Sequence, residues 1–389
     1  MESKHFFCKY GLIGEDLDLK QNVELEIDDT GKILNIYSVE IEKSIELSPD
    51  HQNYIIIPGF INSHIHIGDS FAKELGFNKE LKEIVAPPFG LKHKLLRQIP
   101  QEVKIKGIQN AVLEMLSNGI TFFVDFREEG VRGVNLLKKS LSNYPINYLI
   151  LGRFMDESEI DPIFEISDGV GLSSYKLITS SNKNFVSSAK KKFRKIIACH
   201  CAENTRNTEL IKKIFEDNLV DVIIHGTKFT TEDLVKLIEN KISLVLCPRS
   251  NGYLGTGFPP ISEIIKVNIP ISLGTDNLMV NNTDLFEEMR YLYRISRVLC
   301  KNKKEFYFTS KELLKMVTIN AAKNFNLERE FGSISKGKFA DFFIIDLDYP
   351  NLFVNIMDPI NIYDLITQRV KSENILSTYI KGEQVFERI

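Results

Sequence analysis

Two histidines stand two residues apart in Asn62-Ser63-His64-Ile65-His66. On a β-strand that spacing points both imidazoles to the same face, and two converging imidazoles make half of a metal site. Two more histidines and an aspartate stand where apolar runs stop. His200 follows Ile196-Ile197-Ala198-Cys199, His225 follows Val222-Ile223-Ile224, and Asp276 follows Leu273-Gly274-Thr275. One polar group at the end of an apolar strand is ordinary core. Five of them at the same end of four strands are hard to explain by packing.

Glu203 adds a second kind of chemistry. In His200-Cys201-Ala202-Glu203 it falls just past the strand, close to a candidate ligand. A carboxylate there can take a proton from an activated water and hand it to a leaving group. The plain alternative is an acid in the first turn of the next helix, stabilised by the helix dipole. Cys199 and Cys201 flank His200 and invite a thiolate-metal reading, but alternation along a strand turns both outward if His200 points in. No Pro-Cys-x-x-Cys is present, which sets aside the cytidine-deaminase type of zinc site.

These residues need a scaffold that brings strand ends together. Eight strand-like apolar runs fall at 55–67, 120–126, 148–154, 170–177, 196–201, 222–225, 242–246 and 269–273. Helical patterns lie between most of them, including Glu102–Ser117, Asn204–Glu216 and Thr231–Glu239. Continuous apolar strands alternating with amphipathic helices imply a parallel sheet covered by helices. Eight such units predict an α/β fold, a (β/α)8 TIM-like barrel over residues 55–329 with its site at the C-terminal rim. A doubly wound open sheet is the alternative, but no Gly-rich nucleotide turn follows the first strand. A last helical stretch runs over Ser310–Asn324.

Both chain ends read as β-structure. Val23–Ile27 alternates apolar and polar, Asp29-Thr30-Gly31 turns the chain, and Ile33–Ile36 returns. Phe342–Ile345 and Thr378–Ile380, with a turn at Lys381-Gly382, match them at the other end. Neither end is large enough for its own core, so residues 1–54 and 330–389 are expected to meet in one small β-sandwich domain.

Composition narrows the function classes. A formal net charge of -3 argues against a nucleic-acid binder. The basic run Lys190-Lys191-Lys192 with Arg194 and Lys195 reads as the end of a helix before a strand. The five cysteines have no regular spacing and do not read as a disulfide framework. No apolar stretch reaches membrane-spanning length, and the first residues contain no signal-peptide core. A cytoplasmic enzyme with a small-molecule substrate is the expectation, with self-association left open.

The motifs as a set resemble the amidohydrolase superfamily over nearly the whole chain. Pro58-Gly59-Phe60-Ile61-Asn62-Ser63-His64-Ile65-His66 is similar to its opening motif. Gly274-Thr275-Asp276 is similar to its eighth-strand aspartate motif, and Gly332–Asp341 to its return into the small β-domain. His200–Glu203, His225-Gly226 and Cys247-Pro248-Arg249-Ser250-Asn251 resemble the aminohydrolase branch, which includes cytosine, guanine and S-adenosylhomocysteine deaminases and the triazine hydrolases. The resemblance implies one divalent metal, zinc with iron or manganese as alternatives, on His64, His66, His200 and Asp276. It implies that Glu203 shuttles protons, that Asp276 assists, and that His225 polarises the water or the substrate. The implied reaction is deamination of an amino-bearing sp2 carbon in a nitrogen heterocycle.

The fourth-strand segment Gly171-Leu172-Ser173-Ser174-Tyr175-Lys176 lacks the branch's histidine, so the substrate stays open. Arg153, Ser174 and Arg249 are the candidate substrate contacts, and Asp69 and Lys73 could line the mouth. Asn251 is expected to shape its loop. Lys176 raises a rival, a binuclear cyclic-amidase-type hydrolase in which a carboxylated lysine bridges two metals. A non-catalytic binding protein on a relic barrel is the third reading, and it should have lost a ligand.

Overall fold

The structure, a computed structural model, describes residues 3–40, 53–86, 88–301, 307–353 and 361–388. Seven parallel strands follow one another in a single sheet: Phe60–His66, Ile120–Arg127, Asn147–Gly152, Gly169–Leu172, Ile196–Cys201, Val222–His225 and Ser243–Leu246. The eighth comes in two pieces. Ile271–Leu273 pairs with the seventh strand, and Asp276–Asn277 pairs with the first, Asp276 opposite Ile65 and Asn277 opposite His66. The sheet therefore closes on itself as the expected TIM-like barrel.

The break in the eighth strand has a steric cause. A Cβ on Gly274 would lie 2.6 Å from the Cβ and backbone nitrogen of His64 and 2.7 Å from its carbonyl oxygen. Only glycine lets the eighth strand pass this close to the first. Gly274→Ala should cost about 1–3 kcal/mol through overpacking. Thermal unfolding would read this as a lower Tm, and an unchanged Tm would contradict the close approach.

Alternation divides the barrel residues into two layers. Ile61, Phe122, Val124, Phe126, Leu151, Ala198, Val222, Ile224, Val245 and Cys247 fill the barrel's interior. Their neighbours Phe60, Phe123, Ile150, Val170, Ile197, Cys199, Ile223 and Leu246 pack outward with the helices. The first strand changes parity on the way up. Asn62 sits opposite Phe123 and Ile65 opposite Asp125, so the first strand carries one extra residue there. Such a bulge re-aims side chains. It lets Ile61 point inward at the bottom while His64 and His66 point inward at the top.

The second sheet draws on both chain ends. Its seven strands run in the order Glu383–Glu387, Ile375–Ile380, Phe342–Asp346, Tyr54–Pro58, Lys4–Ile13, Asp18–Ile27 and Ile33–Glu40. The apolar run at 55–67, read as one strand, is thus two strands in two sheets. They meet at Gly59, where a Cβ would come within 2.1 Å of the Thr121 hydroxyl. Asp341 fastens this joint. Its carboxylate accepts from Asn147 Nδ2 at 2.6 Å and from the Lys381 backbone nitrogen at 2.8 Å, and its carbonyl accepts from the Gly59 nitrogen at 2.9 Å. Burial pushes the Asp341 carboxyl up to about 7.

The helices begin where capping chemistry allows. Thr231–Glu239 starts on a capping box made by Thr230 and Asp233. The helix expected over Asn204–Glu216 starts later, at Thr208, because Asn207 caps it by accepting from the Leu210 nitrogen. Residues 202–206 are thereby left as a rim loop. The stretch Ser310–Asn324 forms two helices, Ser310–Met316 and Ile319–Asn324. The basic run ends the helix Lys183–Phe193 just before the strand Ile196–Cys201, with Lys190 paired to Asp221. After the first barrel strand, two short helices, Leu81–Val85 and Leu91–Gln98, roof the rim.

Candidate active site

The five strand-end residues converge at the barrel's C-terminal rim. Ligand atoms of His64, His200, His225 and Asp276 all lie within 4.8 Å of one another. The fifth, His66, joins them through its Nε2, which is 3.4 Å from His200 Nε2 and 3.5 Å from Asp276 Oδ1. His64 Nε2 is 3.1 Å from the same Asp276 oxygen. Two of these residues carry backbone strain, since His225 has φ +76° and Asp276 φ +62°. Strain of this kind gathers at sites that must aim a side chain.

Tautomers can be read from the outer ring nitrogens. His200 Nδ1 donates to the Leu172 carbonyl at 3.0 Å, and His66 Nδ1 faces the Phe126 carbonyl at 3.1 Å and a Glu128 carboxylate oxygen at 2.8 Å. Each of these acceptors requires a proton on Nδ1. Both Nε2 atoms are then bare lone pairs, facing each other at 3.4 Å with no hydrogen between them. A cation between them would remove that repulsion. The chemistry of the set agrees. Burial pushes His64 down to about 3 and His200 well below the usual histidine range, so both rings are neutral and free to take a cation. Burial alone would raise Asp276, but its contact with His64 holds it well below the ordinary carboxylate range. Three imidazoles and one carboxylate fit a borderline divalent ion.

His225 is held differently. Asn251 Nδ2 lies 3.2 Å from His225 Nδ1, while Thr227 Oγ1 donates to Asn251 Oδ1 at 3.4 Å. An amide nitrogen donating to Nδ1 leaves the ring proton on Nε2, which faces Glu203 Oε2 at 3.7 Å. His225 is thus set up as a donor. Glu203 is raised above its ordinary value by burial, with Asp276 adding to the effect. Asn251, read from sequence as a loop-shaping residue, fixes the His225 ring.

One cavity joins these groups to the rim. His66, His200, Glu203, His225, Asp276 and Arg153 line it, with Ser173, Glu128, Lys92, His93, Leu254 and the helix Leu81–Val85 around them. Arg153 is 8% exposed and donates through Nε to the Gly171 carbonyl at 3.5 Å. Among the described residues it has no carboxylate within ion-pair distance.

Two of the three substrate candidates lie elsewhere. Arg249 is spent on structure, donating to Glu288 at 2.7 Å and to Asn282 Oδ1 at 2.8 Å. Ser174 caps the turn Tyr175–Leu177 by accepting from the Lys176 nitrogen, and it faces a separate cleft behind His200. Its neighbour Ser173 lines the cavity instead. Lys176 is exposed on that turn and lines the same outer cleft, outside the converged cluster, so it is not placed to bridge two metals. Lys73 is exposed and pairs with Glu114, whereas Asp69 is buried and accepts from the Leu278 nitrogen at 3.0 Å. Cys199 and Cys201 pack outward, as alternation requires.

Sequence reasoning missed Glu128, Lys92 and His93. Glu128 had a readable signal. Arg127, Glu128 and Glu129 crowd the end of the apolar strand Ile120–Arg127, the same pattern that marked His200 and His225. Lys92 and His93 sit on a short roof helix, where a lysine looks like any surface residue.

Residues 55–385 match the amidohydrolase family, an extent that takes in every residue of the cluster. The chain belongs to the amidohydrolase family. This amidohydrolase is 31% identical to a provisionally named aminohydrolase of Methanothermobacter thermautotrophicus, over 86% of this chain and 88% of that one. It is 26% identical to a 5-methylthioadenosine/S-adenosylhomocysteine deaminase of Thermoanaerobacter pseudethanolicus, over 96% of this chain and 91% of that one. Its fold is shared by a zinc-bound adenosine deaminase from Xanthomonas campestris, with TM-score 0.79 and 15% identity over 98% of this chain and 92% of the other. A guanine deaminase from C. acetobutylicum shares it too, with TM-score 0.77 and 18% identity over 99% and 100%. The amidohydrolase is a hydrolase acting on carbon–nitrogen bonds other than peptide bonds. No helix among the described residues is long and apolar enough to cross a membrane.

Proposed function

We propose that this amidohydrolase is a mononuclear metal-dependent deaminase. Its reaction replaces the amino group on an sp2 carbon of a nitrogen heterocycle by oxygen and releases ammonia. The observation that carries this reading is the pairing of Glu203 with His225 Nε2 at 3.7 Å, in the cavity that His66, His200 and Asp276 also line. A simple metal-binding protein has no use for that pair. An adenine-type base is the preferred substrate class, because relatives covering nearly the whole chain are 5-methylthioadenosine/S-adenosylhomocysteine deaminases.

His64, His66, His200 and Asp276 would hold the ion. When bound, it supplies the Lewis acidity that brings the pKa of water toward 7. Glu203 takes the proton from the attacking water and places it on the ring nitrogen next to the reacting carbon. A carboxyl raised by burial suits both halves of that transfer, since it can hold the proton between them. His225 donates its Nε2 proton in a hydrogen bond to the new oxygen, with the ring held still by Asn251. Asp276 assists the second proton movement, to the departing nitrogen, and ammonia leaves. Arg153, on the cavity wall, meets an anionic or carbonyl group of the substrate.

The test is a screen for ammonia over adenosine, 5-methylthioadenosine, S-adenosylhomocysteine, guanine and cytosine. At least one should yield ammonia in step with a product carrying oxygen in place of the amino group. Silence on all of them, with hydrolysis of a cyclic amide such as a dihydropyrimidine, would replace deamination by amidase chemistry.

A further inference from the structure

On the wall of the cavity lies a cluster of buried charges that the proposed mechanism does not use. Glu128 follows the second barrel strand and is 2% exposed. Its Oε1 lies 2.8 Å from His66 Nδ1 and 2.5 Å from Lys92 Nζ, and its Oε2 accepts from Arg127 Nη2 at 2.7 Å. Lys92 is 3% exposed, and its ammonium also lies 3.1 Å from Asp69. It comes from the roof helix Leu91–Gln98, so the roof is seated on the same carboxylate that touches the site. The seat leaves little slack, since a Cβ on Gly68 would fall 1.8 Å from the Arg127 guanidinium.

We infer that Glu128, held in place by Lys92, is a positioning residue that fixes the tautomer and direction of His66. The inference rests on reading His66 as a metal ligand. A ring free to turn could present either nitrogen. With Glu128 and the Phe126 carbonyl both accepting at Nδ1, only the Nε2 lone pair faces Asp276 and His200. His200 has only a backbone carbonyl at its Nδ1, whereas His66 also has a carboxylate there. A carboxylate there makes an imidazole a stronger ligand, and losing it costs 10–100-fold in metal affinity. Lys92 and Arg127 stop the carboxylate from swinging away. They also offset the charge of a group that could not otherwise remain ionised in this interior.

The test is zinc affinity, measured by competition with a chromogenic chelator on the full chain, beside the Tm of each metal-free protein. Glu128→Ala should weaken zinc binding by about 10–100-fold. Glu128→Gln should fall between it and the wild type, because an amide oxygen still accepts from Nδ1 but no longer pairs with an ammonium. Lys92→Met should also weaken zinc. Its effect should not add to that of Glu128→Ala in the double variant, since both act through one contact. A purely structural role would lower the metal-free Tm and leave zinc affinity alone. Folded Glu128 variants that bind zinc as tightly as the wild type would overturn the inference. If Glu128→Ala does not fold, the Glu128→Gln affinity decides in the same sense. A wild-type chain that binds no zinc would instead overturn the metal reading on which this one stands.

Discussion

Glu203→Gln is expected to fold and bind metal normally while releasing ammonia at least about a hundredfold more slowly. General acid–base catalysis contributes typically about 10²–10⁴-fold. Here one group serves two transfers, off the water and onto the ring nitrogen. The substitution keeps the volume and removes the proton acceptor, so the loss should fall on kcat, with KM little changed. Two features of the fold make Glu203 suitable. The left-handed Ala202 at φ +53° turns the chain out of the fifth strand, and the Asn207 cap delays the next helix. Glu203 is left on a short loop over the cavity, facing His225. A near-wild-type rate on a true substrate would remove Glu203 from the mechanism, together with the main reason to prefer deamination.

His225→Ala is expected to keep its metal and lose activity steeply, by about 10²–10³-fold, the usual cost of removing one oxyanion donor. The ring's Nδ1 is occupied by Asn251, and its Nε2 carries a proton toward Glu203. A protonated nitrogen cannot ligate, although His225 stands as close to His64, His200 and Asp276 as they do to one another. Metal content therefore separates the two roles. A metal-free His225→Ala protein would make His225 a ligand. Asn251→Ala should move activity in the same direction by a smaller factor, since it frees the ring without deleting it.

Much of this architecture is legible in the residues. The barrel follows from apolar strands alternating with helices. The cluster follows from one recurring event, a His or Asp where an apolar strand stops. Where the reading fell short, the causes are local. The run at 55–61 contains no polar break, so only Pro58-Gly59 marks the change of sheet. The bulge between Asn62 and Ile65 is invisible in a two-residue alternation that holds again beyond it. Arg249 looks like a substrate contact because its chain position is at the rim. Its guanidinium turns away to meet Glu288, buried on a helix further along the chain, which pairs with no other cation among the described residues. Ser174 misses the cavity by one residue, because the strand ends at Leu172 and the chain then curls into a turn. Lys92 could not be found by pattern, since its partners Asp69 and Glu128 come from two different barrel loops.

The most direct measurement of the central claim is to strip the metal from the protein, restore it by titration, and follow ammonia release from a substrate found in the screen. Release should vanish on stripping and return in proportion to added zinc, levelling off at about one equivalent per chain, as a single site with four protein ligands requires. Undiminished ammonia release from fully stripped protein would contradict the account, and saturation at two equivalents would contradict its mononuclear form.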